Sequence, residues 1–310
     1  MSDTTTGAAP RAAAASRGAG RRFGPEARRG LLLVAPPALY ALLLLAAPLA
    51  AVLAFSFWTQ DYLTLDTTPR LDNYREALTE PLYRELLGRS VLIAGAVTLA
   101  TVALAFPVAY YVSFHVAPGR KSLWLFLLTL PFWTSYLIRV FLWKVILGFN
   151  GVLNTSLLGL GIVEEPVTAL LYNANAVVIT LAHAFAPFAI LPIFVSLEKI
   201  DRSLLEAARD LGETRLTAFL RVTLPLAMPG VVAACLIVFI PTVGDYVTPR
   251  LVGGPDGAMI ATMIQTQFMR LNNAPLGAAL SVITMATVAL VALVFVALNR
   301  RFLRARGDGG

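Results

Sequence analysis

The chain has 310 residues, 57% of them hydrophobic and only 14% charged, with a mean hydropathy of +0.73. That balance excludes a soluble domain of this length and specifies a polytopic membrane protein, all-α by composition and run length. A net charge of +7 suggests a nucleic-acid partner, but the basic residues are distributed by loop rather than gathered on one face, and no nucleic acid is expected.

Residues 1–29 are rich in Ala, Gly, Ser, Thr and Arg without apolar periodicity, which predicts a disordered tail. Its arginines (Arg11, Arg17, Arg21, Arg22, Arg28, Arg29) precede an uncharged run from Gly30 to Gln60. The run is far longer than the roughly 7–15 residues of a signal-peptide core, so it reads as a retained first span bent by Pro36, Pro37 and Pro48. Asp61 to Arg89 is polar, with helix starts at Asp72 and Pro81, and reads as a small external cap. A second apolar run covers Ser90–Phe114, followed by a turn through Pro118, Gly119, Arg120 and Lys121. The third run, Ser122–Phe149, is interrupted by Arg139 and Lys144. Asn150–Asn175 reads as a loop with Glu164 and Glu165 and no basic residue. A fourth span, Ala176–Leu197, contains Pro187 and Pro192; its successor runs from Leu226 to Tyr246, and the last from Leu276 to Leu298. The single cysteine, Cys235, lies within an apolar run and reads as a packing residue.

Six spans of roughly 20 residues suit a hydrocarbon core of about 30 Å. The tail, the Arg120–Lys121 turn, the polar stretch after Leu197 and the C-terminus hold most of the 25 basic residues, so the positive-inside rule puts all four, and both termini, in the cytoplasm of a cell (inner) membrane. The expected division is a tail over 1–29, a transmembrane domain over 30–302 with a cytoplasmic loop at 198–225, and a tail over 303–310.

That loop is too polar to span a bilayer and too rich in helix formers to be slack. Ser203 and Glu206 fit a capping box that starts a helix, and Gly212 sits where a left-handed C-terminal cap belongs. A second short helix is predicted after Thr214, presenting Leu216, Phe219 and Leu220, and ending at Pro225. Two helices hinged at a glycine make a docking element; an ordinary amphipathic loop is the other reading.

The ordered set Glu206-Ala207-Ala208, Gly212, Leu224-Pro225 resembles the EAA loop of ATP-binding-cassette importer permeases. Leu71-Asp72-Asn73-Tyr74, Pro131-Phe132-Trp133-Thr134-Ser135 with Leu137-Ile138-Arg139, Gly151-Val152-Leu153-Asn154 and Pro241 through Gly254 are similar to the spermidine/putrescine permeases of bacterial importers. The resemblance covers most of Leu71–Pro275. It implies a type I ABC-importer permease fold in which the loop docks on a dimer of separate ATP-binding subunits. A second permease subunit and an extracytoplasmic solute-binding protein complete the assembly, and polyamines cross by alternating access. Permeases for ferric iron, sulfate and phosphonates share much of the pattern and stay open as alternatives for the cargo.

The chain itself carries no machinery for hydrolysis. Gly119-Arg120-Lys121-Ser122 lacks the spacing and preceding strand of a phosphate-binding loop. With only His115 and His183, one cysteine and no HExxH, neither a metal site nor catalysis is expected, and no cofactor. A secondary transporter is the remaining rival; it would show paired intramembrane carboxylates or broken helices in both halves of an inverted repeat, of which these spans have nearly none.

A polyamine needs carboxylates for charge and aromatic faces for cation–π contact. Asp245 and Tyr246 close the fifth span, and Trp133 and Tyr136, three apart, are expected on one face of the third. Rise per residue puts Arg139 and Asp245 at similar depth, so Asp245 either lines a pathway or pairs with Arg139 or Arg250. His183 near mid-span is the remaining pathway candidate; alternatively it hydrogen-bonds to a neighbouring helix beside the carbonyl that Pro187 leaves without a donor.

Overall fold

In the computed structural model residues 25–62 and 64–304 are described; residues 1–24 of the tail predicted over 1–29 and the last residues, 305–310, lie outside them, while 25–29 belong to a helix. Among the described residues helix predominates, the strands are the two of one hairpin, and six helices are long and apolar enough to cross a membrane. The chain divides into two units after Ala50.

The first unit holds most of α1 (Pro25–Phe55), which begins ahead of the predicted first span and carries Pro36, Pro37 and Pro48 within it.

The second unit opens with the hairpin that sequence periodicity did not reveal. β1 (Thr59–Asp61) pairs antiparallel with β2 (Thr64–Asp66), Gln60 opposite Leu65. α2 (Asp72–Thr79) is held beneath it by Asn73, whose amide donates to the carbonyls of Ser56 (3.1 Å) and Trp58 (2.7 Å), while Tyr74 Oη meets Ser56 Oγ at 2.7 Å. α3 (Pro81–Phe114) starts at the predicted proline but runs unbroken through the second apolar run, so the expected cap contributes the first turns of a span. Pro81 at the first helical position costs nothing, because that N–H has no partner in any helix.

The third run does not cross as one rod. α4 (Pro118–Thr129) passes into a 3₁₀ turn at Leu130–Trp133, Thr134 and Ser135 are extended, and α5 (Tyr136–Leu147) restarts the helix. Pro131 has no N–H and its ring crowds the carbonyl four residues back; Thr134 then closes the turn by donating its hydroxyl to Pro131 O at 2.7 Å. Trp133 and Tyr136 therefore sit on different elements, not on one helix face. α6 (Val152–Gly159) occupies part of the predicted 150–175 loop, and the candidate span is Tyr136–Gly159. Gly151 makes this corner possible, since a Cβ there would meet the Val145 and Ile146 carbonyls. Buried Asn154 staples the far side, accepting from Val167 N at 2.9 Å and donating to Val167 O at 3.3 Å.

α7 (Ala174–Glu198) is capped by Asn173, which accepts from Ala176 N, and keeps Pro187 and Pro192 within a continuous helix. It packs against α3 and α10 (Leu224–Val243), and Val97, Val112, Leu181, Ile193 and Val238 fill the centre. α7 and α10 approach most closely at Gly230. Its N–H donates to Ser196 Oγ at 3.2 Å, and a Cβ there would strike the Pro192 carbonyl and lie 2.5 Å from Ser196 Cβ. With lipid as apolar as the side chains, close backbone approach of this kind is what holds membrane helices together. α11 (Ile260–Met269) and α12 (Ala274–Arg304) complete the unit around Phe239, Val243, Ile260, Leu276 and Leu280. Ser90 ties α3 to α11: its hydroxyl donates to Leu86 O and accepts from Ile260 N, both at 2.7 Å.

Gly230→Ala is expected to destabilise the chain by about 2 kcal/mol, because the collision is with backbone that cannot repack. Gly95→Ala, where a Cβ meets open space, serves as the control and should be neutral or better. Thermal unfolding of the two purified variants in the same detergent measures the difference, and equal midpoints would contradict the packing argument.

Candidate functional site

The polar loop folds as two helical pieces, with two departures from expectation. α8 (Arg202–Asp210) is capped by Asp201, whose Oδ1 accepts from Ser203 N at 3.0 Å. Asp201 rather than Ser203 is the cap because the backbone is extended at Asp201 (φ −66°, ψ 125°), while Ser203 already lies inside the helix. Gly212 is where the sequence placed it, with φ +84°. Gly212 N donates to Arg209 O (2.9 Å) and Glu213 N to Ala208 O (3.0 Å), the paired bonds of a Schellman turn.

Thr214 then caps α9 (Arg215–Ala218), accepting from Thr217 N at 3.3 Å. The second helix does not stop at Pro225. It widens into a π-turn over Phe219–Thr223, where Leu224 N donates to Phe219 O, and continues as α10. The wider turn supplies the slack that a proline without N–H demands, so Arg215–Val243 is one rod from loop to span. Leu224 and Pro225 are its first α-helical residues, not a terminator.

Two electrostatic ties brace this element. Glu213 pairs with Arg221 at 2.7 Å, and the Thr217 hydroxyl and Arg221 hold its carboxyl below the usual range; the Ser203 amide does the same for Asp201. Both contributions are complete at neutral pH and fade as pH falls through those lowered values. At the junction with the spans, Glu198 Oε1 receives Lys121 Nζ and Ser113 Oγ, both at 2.6 Å. Arg202 donates to Ser113 O at 3.2 Å and lies over the Phe114 ring. The ends of α3, α4, α7 and α8 thus meet on one carboxylate and one guanidinium.

Ala208 and Ala218 are buried, while Glu206 and Ala207 face outward with Leu204, Leu211, Leu216 and Leu220, all exposed. Apolar side chains held out on a braced polar loop form a surface suited to a protein partner.

The second cluster lies where α5, α7 and the end of α10 meet. Asp245 Oδ2 accepts from Tyr136 Oη at 2.7 Å, Oδ1 from Val247 N at 3.0 Å, and Tyr136 Oη also meets Thr248 Oγ1 at 2.7 Å. Asp245 makes no ion pair with Arg139 or Arg250; Arg250 donates to Gln265 instead. Arg139 is 7% exposed, donates to Ala184 O at 3.3 Å and lies within 6 Å of the Phe132 and Tyr136 ring centres. These groups line a cavity of about 370 Å³ together with Tyr246, Phe185 and Phe188. The structure therefore joins Tyr136, Asp245 and Tyr246 and leaves out the other two candidates. Trp133 is 77% exposed and packs edge-on against Phe126; His183 Nδ1 accepts from Trp143 Nε1 at 3.1 Å. Phe185 and Phe188 were missed by sequence reasoning, although their spacing around Pro187 puts them on one side of a helix.

Residues 31–305 match the family described as binding-protein-dependent transport system inner membrane components. The chain is 38% identical over 254 residues to the spermidine/putrescine transport system permease protein PotB of Haemophilus influenzae, covering 82% of this chain and 88% of that protein. It is 38% identical over 249 residues to PotB of Escherichia coli strain K12, covering 80% and 90%. Among solved structures it superposes with TM-score 0.69, at 17% identity and over 91% of this chain and 98% of the other, on a chain of a bacterial alginate ABC transporter in complex with alginate pentasaccharide-bound periplasmic protein.

Gly212→Ala forces a side chain into the left-handed region at a cost of about 1 kcal/mol, and should raise hydrogen exchange at the amides of Leu211 and Glu213 while leaving α10 protected. Unchanged exchange there would show that the turn does not depend on this glycine.

Proposed function

The chain belongs to the binding-protein-dependent transport system inner membrane components, as the permease subunit of an ABC importer; from that premise we propose that it takes up polyamines, driven by a separate pair of ATP-binding subunits that dock on residues 198–225. The observation that carries the coupling reading is the continuous rod from Arg215 to Val243. A push on the Glu206–Gly212 element passes through the Gly212–Thr214 turn, which the Glu213–Arg221 pair braces, into a rod that reaches the middle of the bundle.

The exposed leucines and Glu206 supply the docking face, and the Glu198 junction passes its displacement to α3 and α7. The charge distribution supports a cytoplasmic position for this loop and both termini, on the side where ATP is available. ATP binding closes the partner dimer, the spans rock to open outward, and hydrolysis returns the inward state. A second permease subunit and an extracytoplasmic binding protein complete the assembly; the periplasmic protein in the alginate structure supports the latter.

Two PotB relatives named for spermidine and putrescine support the cargo, and so does the Asp245 cavity. A carboxylate ringed by Tyr136, Tyr246, Phe185 and Phe188 offers an organic cation both charge and ring faces, each ring worth about 0.5–2 kcal/mol.

In vesicles reconstituted with the partner subunits and binding protein, Glu206→Lys should cut uptake of labelled putrescine and spermidine by about tenfold or more through charge reversal at the docked face. Insertion should be unaffected, and full uptake would refute the coupling role. Asp245→Asn keeps an acceptor for Tyr136 but loses the charge. It should slow polyamine uptake while stimulation of ATP hydrolysis by the loaded binding protein persists; unchanged uptake would remove Asp245 from the pathway.

A further inference from the structure

At the end of the spans where α3 stops and α8 and α9 cross it lies an open cavity of about 240 Å³ that the transport reading does not use. α8 contributes Arg209, α9 contributes Arg215, α3 contributes Tyr110 and its cap residue His115, and Thr223 of the π-turn adds a hydroxyl. No carboxylate is among the described residues that line it. On α8, Arg209 shares a side with Leu205, four residues back, and adjoins buried Ala208. Glu206 and Asp210 belong to the neighbouring face and do not reach the cavity.

The basic residues nearby are matched. Lys121 has Glu198, Arg221 has Glu213, and Arg202 has the Ser113 carbonyl and the Phe114 ring. Arg209 and Arg215 have no ion-pair partner among the described residues, although both border one small polar space. Two exposed guanidinium forks with imidazole and hydroxyl donors, carried to one cavity by three different elements, are complementary to a tetrahedral oxyanion. A planar carboxylate turns both oxygens toward one fork, whereas the non-bridging oxygens of a phosphate group diverge and each meets a different guanidinium. The position at the ends of α3 and of the Arg215–Val243 rod is also the level of lipid headgroups.

We propose that this cavity binds a phosphate-class oxyanion, either free inorganic phosphate or the phosphodiester headgroup of an anionic phospholipid. The bound anion bridges α8 and α9 to the end of α3 and so sets the resting position of the loop. The proposal is independent of the cargo and of the side of the membrane on which the loop lies.

The test uses the full chain, purified and placed either in neutral detergent with inorganic phosphate or in nanodiscs of phosphatidylcholine with increasing phosphatidylglycerol, with thermal midpoint as readout. A saturable rise with phosphate assigns the free anion; a rise with phosphatidylglycerol alone assigns the headgroup. Arg209→Gln and Arg215→Gln should each weaken the apparent affinity by about tenfold, the loss of one charge-assisted fork. Arg209→Lys, which keeps charge but not the fork, should fall between and preserves the test should a glutamine variant fail to insert. Arg270→Gln removes one positive charge at the end of α11, away from the cavity, and should respond as the unaltered chain does. Absence of any shift with either ligand, or equal response of the Arg209 and Arg215 variants and the unaltered chain, overturns the proposal, as does an equal loss in Arg270→Gln.

Discussion

Hydrocarbon offers backbone amides no water, so every N–H and C=O inside the bilayer must be satisfied by the chain itself. This sequence carries 19 prolines, many within its spans, and each removes one donor. The fold follows from how those vacancies are handled. Pro187 and Pro192 are absorbed inside a continuous α7. Pro131 breaks the third run into a 3₁₀ turn and two extended residues, and Pro225 is accommodated by a π-turn just before it. A further π-turn at Pro249–Gly253 follows Asp245. The irregular backbone collects at the two ends where the polar clusters sit, and the middle of α3, α7 and α10 stays regular and close-packed.

This division of labour gives the proposed coupling a physical route. The regular centre is packed into one body by the Gly230 approach and the Ser196 hydrogen bond. The Schellman turn at Gly212 and the Asp201 cap make α8 rigid despite its nine residues. A short helix in water is marginal by itself, and its two caps and the contacts of Ala208 replace the length it lacks. The Glu198 carboxylate, accepting from Lys121 and Ser113, then ties the ends of α3, α4 and α7 together, and Arg202 joins α8 to them through the Ser113 carbonyl.

Much of the site was legible in the chain. The polar interruption after Leu197 stands out because polar and apolar segments differ in composition whatever their neighbours, the glycine at 212 by its place in a cap pattern, and the Glu206-Ala207-Ala208 run by its resemblance to a family motif. The helix starts at Asp72 and Pro81 and the left-handed cap were likewise local facts, set by a residue and its next few positions. The capping residue of α8 was misassigned because Asp201 and Ser203 both qualify by type, and only the backbone geometry chooses between them.

The sequence by itself determined a six-span helical membrane protein with one braced polar loop, since hydropathy and caps act over a handful of residues. The tertiary structure alone decided which side chains meet. Tyr136 finds Asp245 across 109 residues, His183 finds Trp143 across 40, and Trp133 is turned away by the break at Thr134. It also decided that Arg215–Val243 is one rod, because a π-turn stabilises a proline only when the surrounding packing admits the wider helix. Such contacts depend on how rods rotate and cross, and rotation within lipid is fixed by packing that no stretch of the chain encodes alone.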